Sequence, residues 1–107
     1  MTYKIILAET AETDMYDIHE YVESHDSLQN ADKLLGGIEQ AIISLETTPQ
    51  RGHCPPELLR FGNHEYREIH FKPYRIIYSI RTSEVIVNSV LDGRRDIQTL
   101  LQQRLLR

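Results

Sequence analysis

The sequence predicts an α+β fold of two layers, in which an N-terminal helical hairpin covers one face of an antiparallel sheet. Three observations support this prediction. Apolar residues recur at helical spacing in the first half of the chain, and they alternate at strand spacing between residues 65 and 91. Very short gaps separate the later strands, which favours hairpins over crossover connections. We therefore expect the order β-α-α-β-β-β-α within a single domain that spans residues 1–107.

The opening strand and the first helix follow from local patterns. Residues 2–7 (Thr-Tyr-Lys-Ile-Ile-Leu) favour extended backbone. Residues 8–25 carry an apolar stripe at helical spacing, and acidic residues occupy the other faces, which predicts a solvated acidic surface. The members of this acidic surface are Glu12, Asp14, Asp17, Glu20 and Glu23.

The second helix can be capped by Asp26 or Ser27, and it ends before Pro49. Its apolar stripe consists of Ala31, Leu34, Ile38, Ile42 and Leu45. Gly36 and Gly37 lie in its middle, where each glycine costs about 1 kcal/mol relative to alanine. We expect close approach of the partner helix to explain both glycines.

The second half of the chain contains a loop, a meander and a tail. Prolines and glycines predict a loop over residues 49–62. Strands are predicted over residues 65–72, 74–81 and 84–91, and residues 94–107 form a weakly helical tail. This half therefore supplies three antiparallel strands and one short helix.

The apolar side chains of the meander are predicted to face the helical hairpin. Side chains alternate across a strand, so each strand divides into two sets. The sets facing the hairpin are Arg67, Ile69 and Phe71 on one strand and Tyr74, Ile76, Tyr78 and Ile80 on the next.

Charged residues should then occupy the opposite face of the sheet. Glu68, His70 and Arg75 point there by elimination, together with Asn88. Only the C-terminal helix remains to cover this face, which predicts a partly open, charged surface with Ile77 exposed. Two further apolar residues could lie exposed on the same face, Ile86 and Val90. Either this face is simply solvated, as half-covered antiparallel sheets allow, or it is left open for a partner.

The charges are divided unevenly along the chain. Residues 1–50 contain two basic and ten acidic residues, whereas residues 51–107 contain ten basic and six acidic residues. The positive second half is compatible with an anionic partner, either nucleic acid or an acidic protein segment. Its excess of charge is nevertheless smaller than that of most DNA-binding or RNA-binding domains.

Other sequence features concern location and metal binding. The chain has no apolar run long enough to span a membrane and no secretory signal, and it has one cysteine, so we expect a cytoplasmic protein. His53 and Cys54 are adjacent, but no second cysteine follows at metal-binding spacing. We therefore expect neither a metal ion nor a cofactor.

The segment Tyr-Arg-Glu-Ile-His-Phe-Lys-Pro-Tyr-Arg-Ile-Ile-Tyr, followed by Val-Leu-Asp-Gly-Arg-Arg-Asp, resembles the RelE/ParE superfamily of bacterial toxins. These proteins are the toxins of type II toxin–antitoxin (plasmid stabilisation) modules, and they cause growth arrest. The resemblance covers essentially the whole chain and is strongest in residues 66–96. It implies the same order of elements that the patterns predict.

One branch of this superfamily, the RelE-like toxins, cleaves messenger RNA on the ribosome. Such a reaction needs a base, a cation near the developing phosphorane charge, and an acid for the leaving oxygen. The resemblance matches Arg75 and one of Arg94 or Arg95 to the cationic residues of these enzymes. His70 could serve as the base because the unperturbed pKa of histidine, roughly 6.5, suits that role, but no residue matches the acid. Glu68 and His70 stand where RelE-like enzymes carry paired lysines, and nothing after Arg95 is tyrosine or histidine. The ribonuclease set is therefore incomplete, and whether the protein is an enzyme stays open.

The other branch, the ParE-like toxins, poisons DNA gyrase by binding, without a catalytic set. Arg94-Arg95-Asp96 and the leucine-rich tail resemble this branch, which makes gyrase the favoured target over ribosomes and mRNA. The residues expected to contact the target or the antitoxin are Arg67, Arg75, Ile77, Arg81, Arg94 and Arg95. A third alternative is an inactive toxin that serves only as an antitoxin-binding co-repressor.

The resemblance also implies a cognate antitoxin with an acidic, partly disordered segment. Arginines suit such a partner because the planar guanidinium forms bidentate bonds with carboxylates. Contact with operator DNA is expected only through the antitoxin, and no contact with a membrane is expected. The antitoxin family and the oligomeric state stay open.

Overall fold

The computed structural model describes residues 2–105, and in this range four strands form one sheet with helices on both of its faces. The helices and strands, in chain order, are β1 (Lys4–Leu7), α1 (Glu9–His25), α2 (Leu28–Ile43), α3 (Pro56–Leu59), β2 (Tyr66–Phe71), β3 (Tyr74–Arg81), β4 (Glu84–Asp92) and α4 (Ile97–Leu105). Two 3-10 turns, Ser44–Glu46 and Pro49–Arg51, follow α2. No helix within the described range is long and apolar enough to cross a membrane.

The predicted α+β fold is confirmed, and the strand order adds one feature to it. The sheet has the order β1-β4-β3-β2, and the strands β2, β3 and β4 form the antiparallel meander. β1 instead pairs in parallel with β4, with Lys4 opposite Glu84 and Leu7 opposite Val87. A parallel pair needs a crossover connection, and the helical hairpin and the meander together supply it. The expectation of a wholly antiparallel sheet is therefore wrong for β1.

The helical hairpin packs against one face of the sheet. Ser27 is the N-cap of α2, because its hydroxyl oxygen accepts a hydrogen bond from the backbone N–H of Asn30 at 3.0 Å. A Cβ added at Gly37 would collide with the ring of Phe71 on β2, whereas one added at Gly36 would meet open space. The close approach therefore comes from the sheet, and the expectation that the partner helix requires both glycines is wrong.

A β-bulge changes the alternation of side chains in β4. Ile77 pairs with Ser89 and Tyr78 pairs with Val87, which leaves Asn88 as the additional residue. Val87 and Val90 consequently lie on the same face, inside the core beneath the hairpin. Val90 is buried for this reason, although simple alternation left it as a candidate for exposure.

The main core lies between the hairpin and the sheet. The predicted apolar face of the meander is confirmed, because its central residues are buried there. These residues are Ile69, Tyr74, Ile76 and Tyr78, and they pack with Ala11, Met15, Ile38, Ile42, Leu45, Val85, Val87 and Val90.

A second, smaller core covers the opposite face of the sheet. Ile77 is fully buried there, together with Leu58 of α3 and Leu101 of α4. The expectation that Ile77 is exposed is therefore wrong, and so is the expectation that the C-terminal helix alone covers this face. α3 arises within the segment predicted as loop, where Pro56 occupies the start of the helix and needs no N–H partner.

Candidate functional site

Arg75, near the start of β3, forms hydrogen bonds with two carboxylates. Its Nε and Nη2 atoms donate to the carboxylate of Glu68 at 2.5 and 3.0 Å. Its Nη1 and Nη2 atoms donate to the carboxylate of Glu57, on α3, at 2.9 and 2.7 Å. The hydrogen bonds with Glu57 raise the pKa of Arg75, and the same contact lowers the pKa of Glu57. Both groups are therefore charged across the physiological pH range.

Glu68 is the most enclosed member of this group, since its side chain is only 1% exposed. It lies on β2 and pairs with the segment before α3, where the backbone N–H of Glu68 donates to the carbonyl of His53 at 2.7 Å. The Nε2 atom of His53 lies 3.1 Å from one carboxylate oxygen, and that of His70 lies 3.4 Å from the other. We call Glu57, Glu68, Arg75, His53 and His70 the Arg75 cluster.

The Arg75 cluster differs from the open charged surface that the sequence predicts. The side chain of Arg75 is only 14% exposed, and both of its carboxylate partners belong to the same chain. Glu68, His70 and Arg75 do lie on the face opposite the hairpin, as expected. The expectation that Arg75 stands free for a partner is wrong, because α3 brings Glu57 onto it.

The turn between β4 and α4, residues 93–96, presents exposed arginines. The backbone N–H of Gly93 donates to the carbonyl of Pro73 at 2.7 Å, which holds the turn against the β2–β3 hairpin. Arg94 donates from Nε and Nη2 to Asp92 at 2.9 and 2.7 Å, yet its side chain remains 74% exposed. These bonds lower the pKa of Asp92. Arg95 is also exposed.

Two shallow clefts flank this turn. One, of about 380 Å³, lies between α3 and α4, and Arg60, Arg75 and Arg95 line it. The other lies beside the β2–β3 hairpin and is lined by Lys72 and Arg94 together with Arg75. We call the exposed cations around the two clefts (Arg60, Lys72, Arg94 and Arg95) the basic turn surface.

The structure separates the predicted contact residues instead of gathering them. Arg81 lies at the far end of β3, 68% exposed, with its guanidinium 3.5 Å from Glu65. Arg67 donates to the backbone carbonyls of Gln50 and Gly52 at 3.3 and 2.8 Å, so it braces the loop before α3. Of the six predicted contact residues, Arg94 and Arg95 are the two that lie exposed on the same turn. Arg75 is mostly buried beside them, and Ile77 lies in the second core.

Three of the ribonuclease candidates, His70, Arg75 and Arg94, each face an acidic side chain. His70 is 45% exposed, but its Nε2 faces Glu68, and the Arg75 guanidinium is already bound by two carboxylates. Arg94 is bound to Asp92. Arg95, the alternative to Arg94, is exposed and lines the same cleft as Arg75 and Glu57.

An ion pair that no sequence pattern indicated joins α4 to α1. Arg104 donates to both carboxylate oxygens of Asp14 on α1, at 2.7 and 2.9 Å, and to the hydroxyl oxygen of Ser89 at 3.0 Å. Asp14 also accepts a hydrogen bond from the backbone N–H of Val90 at 2.9 Å. The expectation that Asp14 belongs to a solvated acidic face is therefore wrong. No spacing rule could join two residues this far apart in the chain.

One group of potential metal ligands exists among residues 2–105. The donor atoms of His53, Glu68 and His70 all lie within 4.8 Å of one another. Cys54 is not part of it, since its Sγ faces the carbonyl of His64 at 4.0 Å.

Comparison with known proteins gives a family and a fold. The family model described as "ParE toxin of type II toxin-antitoxin system, parDE" matches residues 5–97. No curated protein matches the chain. Among solved structures, a chain of the chromosomal ParDE TA system from P. aeruginosa superimposes with a TM-score of 0.70 at 13% identity, covering 83% of this chain and 94% of that one. At such low identity, this second likeness concerns the fold alone.

Proposed function

Because the chain belongs to the ParE toxin family of type II toxin–antitoxin systems, we propose that it inhibits DNA gyrase and is neutralised by a cognate antitoxin. In this proposal the protein acts by binding and stabilises gyrase in its cleaved-DNA state. Its site of action is then the cytoplasm, where gyrase and DNA meet.

The neutralised guanidinium of Arg75 is the observation that carries this proposal. A ribosome-dependent ribonuclease needs a free cation over the reacting phosphate, and here two carboxylates occupy that cation. His70 and Arg94 each face an acidic side chain as well, which leaves the exposed Arg95 as the remaining cationic candidate. A toxin that works by binding needs no such set, so this arrangement favours gyrase over mRNA.

The basic turn surface is the region that we assign to the target. Arg94 and Arg95 are exposed at the tip of a turn that the sheet holds rigidly through Gly93. Arginine forms bidentate bonds with carboxylate or phosphate, which are the two groups that a complex of gyrase and DNA presents. Arg81 is 68% exposed at the other end of β3 and provides a matched control.

The test compares substitutions on these two surfaces. In a supercoiling assay with purified gyrase, the double variant Arg94→Ala/Arg95→Ala should require at least about tenfold more toxin for half-inhibition, as expected when two charged contacts are lost. Arg81→Ala should behave as the unchanged protein does. Equal potency of all three proteins would remove the basic turn surface from the proposal, without bearing on whether gyrase is the target.

We further propose that the antitoxin binds near the β2–β3 hairpin. An apolar cleft lies there between the helical hairpin and β2, lined by Val22, Leu34 and Phe71. Lys72 and Arg94 line the second cleft, which lies beside the β2–β3 hairpin. An acidic segment with apolar anchors would fill the cleft and pair its carboxylates with these cations. Contact with operator DNA would then come through the antitoxin.

Co-expression with the neighbouring gene tests the antitoxin proposal. The two products should co-purify, and Leu34→Asp should abolish the association. A toxin that is harmless alone and binds no neighbouring product would contradict this proposal. If it bound the antitoxin but did not arrest growth, the protein would be the inactive co-repressor instead.

A further inference from the structure

We propose that His53, Glu68 and His70 form a binding site for a divalent transition-metal ion, with zinc as the best match. This proposal does not depend on gyrase as the target. It rests on three side chains of the Arg75 cluster whose donor atoms lie within 4.8 Å of one another.

The distances between donor atoms suit a zinc ion. Zinc binds imidazole nitrogen and carboxylate oxygen at roughly 2.0–2.2 Å in tetrahedral geometry, so neighbouring ligand atoms stand roughly 3.3 Å apart. The Nε2 atoms of His53 and His70 lie 3.1 and 3.4 Å from the carboxylate oxygens of Glu68. The same nitrogen of each ring thus points at the same carboxylate, each at a different oxygen, and the donor atoms of all three residues lie within 4.8 Å of one another.

The backbone fixes two of these three ligands relative to each other. His53 and Glu68 form an isolated antiparallel bridge, with N–H···O distances of 3.2 and 2.7 Å. His70 lies two residues beyond Glu68 on β2, so its side chain emerges on the same face. Glu68 and His70 are therefore two residues apart on one strand, and His53 lies on the segment paired with that strand. The three ligands come together when these segments pair.

The loop that carries His53 is also held in place. The hydroxyl of Tyr78 donates to the carbonyl of Pro49 at 2.6 Å and accepts a hydrogen bond from the N–H of Gly52 at 3.1 Å. Arg67 donates to the carbonyl of Gly52 at 2.8 Å. These contacts position the residue just before His53, so binding would require little ordering of the chain.

The charge of the cluster favours a cation. Arg75 is paired with Glu57 through two hydrogen bonds, and Glu68 adds a second carboxylate to the same guanidinium. With both imidazoles neutral, the cluster has a net charge of −1. Arg75 also orients the carboxylate of Glu68, which is the role that hydrogen-bonded neighbours play around metal ligands.

Exposure of the two imidazoles leaves a position for a further ligand. The side chains of His53 and His70 are 61% and 45% exposed, whereas Glu68 is almost fully buried. Two histidines and one glutamate, with a fourth position open to water, form a ligand set that zinc adopts in proteins. The ion would join the segment before α3 to β2 beside the basic turn surface.

Calorimetric titration of the untagged, full-length protein with Zn²⁺ tests the proposal. We expect one ion per chain, and His53→Gln or His70→Gln should each weaken binding by at least about tenfold, as loss of a ligand does more than loss of an outer partner. His64→Gln is the matched control, because His64 is exposed nearby and outside the cluster. Glu68 is left intact because its loss would disturb Arg75.

A spectroscopic measurement on the unchanged protein avoids any dependence on folding of the variants. Addition of Zn²⁺ should shift the imidazole NMR signals of His53 and His70 selectively, and leave those of His19, His25 and His64 in place. Absence of saturable binding, equal weakening by His64→Gln, or shifts spread over all five histidines would each overturn the proposal.

Discussion

Glu68 is a carboxylate with almost no access to water, and its charge is balanced by Arg75. Burial of a charged group is costly unless hydrogen bonds and an opposite charge accompany it. Arg75 provides both, and Glu57 holds Arg75 from the other side. At the scale of the residue, Glu68 on β2 and Arg75 on β3 therefore pair with each other inside the fold instead of standing free for a partner.

Replacement of Arg75 by alanine should reveal this structural role. The substitution leaves Glu68 buried without its cation, so we expect a loss of about 3–5 kcal/mol in the free energy of unfolding. Arg81→Ala removes an exposed pair at the same strand's other end and should change it by less than about 1 kcal/mol. Urea denaturation measures both, and similar values for the two variants would contradict the role of Arg75.

The stability that Glu57 provides should depend on pH. Arg75 lowers the pKa of Glu57 below 4.5, so the carboxylate stabilises the fold above that pH, and this contribution is lost as pH falls through the lower, folded-state pKa. Glu57→Gln should cost about 1–3 kcal/mol at pH 7. The difference from the unchanged protein should vanish in strong acid.

Glu65→Gln supplies the control for this pH experiment. Glu65 pairs with Arg81 at the surface and is 52% exposed, so its substitution should have little effect at any pH. Denaturation curves collected across the acid range distinguish the two. A penalty for Glu57→Gln that stays constant with pH would show that its charge is not what matters.

The two adjacent glycines of α2 test the packing of the elements. Gly36 faces open space, so Gly36→Ala should raise the free energy of unfolding by about 1 kcal/mol through helix propensity. At Gly37 the new methyl group would meet the ring of Phe71, and overpacking of this kind costs about 1–3 kcal/mol. In thermal unfolding, the melting temperature of Gly37→Ala should be well below that of Gly36→Ala. Equal melting temperatures would contradict the contact between α2 and β2.

Attachment of α4 to the rest of the fold depends on one polar contact and one apolar patch. Leu101 packs against Ile77, while Arg104 reaches across to Asp14 on α1. Arg104→Ala should destabilise the protein by about 1–3 kcal/mol, because Asp14 is only 11% exposed and loses its cation. Arg94→Ala, which removes the exposed ion pair with Asp92, should destabilise the protein much less. Equal losses, measured by denaturation, would mean that Arg104 does not fasten α4.

The sequence predicted most helices and strands correctly, but it predicted less well how they pack on one another. Periodicity was sufficient for the helical hairpin, the meander and the face on which Ile76 and Tyr78 lie. It could not reveal α3, whose four residues are too few for a periodic signal, and Ile77 was therefore expected to be exposed. The bulge at Asn88 was equally hidden, since one additional residue changes the face of everything after it.

The site was less predictable than the fold for a related reason. The alternation rule placed Glu68, His70 and Arg75 on one face correctly. Their partners, Glu57 and His53, come from a loop whose path depends on tertiary contacts such as the one between Tyr78 and Pro49. Charged side chains in a strand can be solvated, bound to a partner or paired internally, and sequence pattern alone does not separate these cases.

At the scale of the whole molecule, the uneven charge of the chain becomes a division of surfaces. The acidic first half forms the helical hairpin, and the basic second half carries the exposed arginines of the basic turn surface. The guanidinium of Arg75 is hydrogen-bonded to two carboxylates of the same half. This division of surfaces supports the proposal that the protein acts by binding.

The most direct test of this conclusion adds the purified protein to two reactions side by side. With DNA gyrase and relaxed plasmid, it should block supercoiling and accumulate cleaved DNA, and the cognate antitoxin should reverse the effect. With translating ribosomes, it should leave messenger RNA intact. Cleavage of messenger RNA together with unimpaired supercoiling would contradict the central claim.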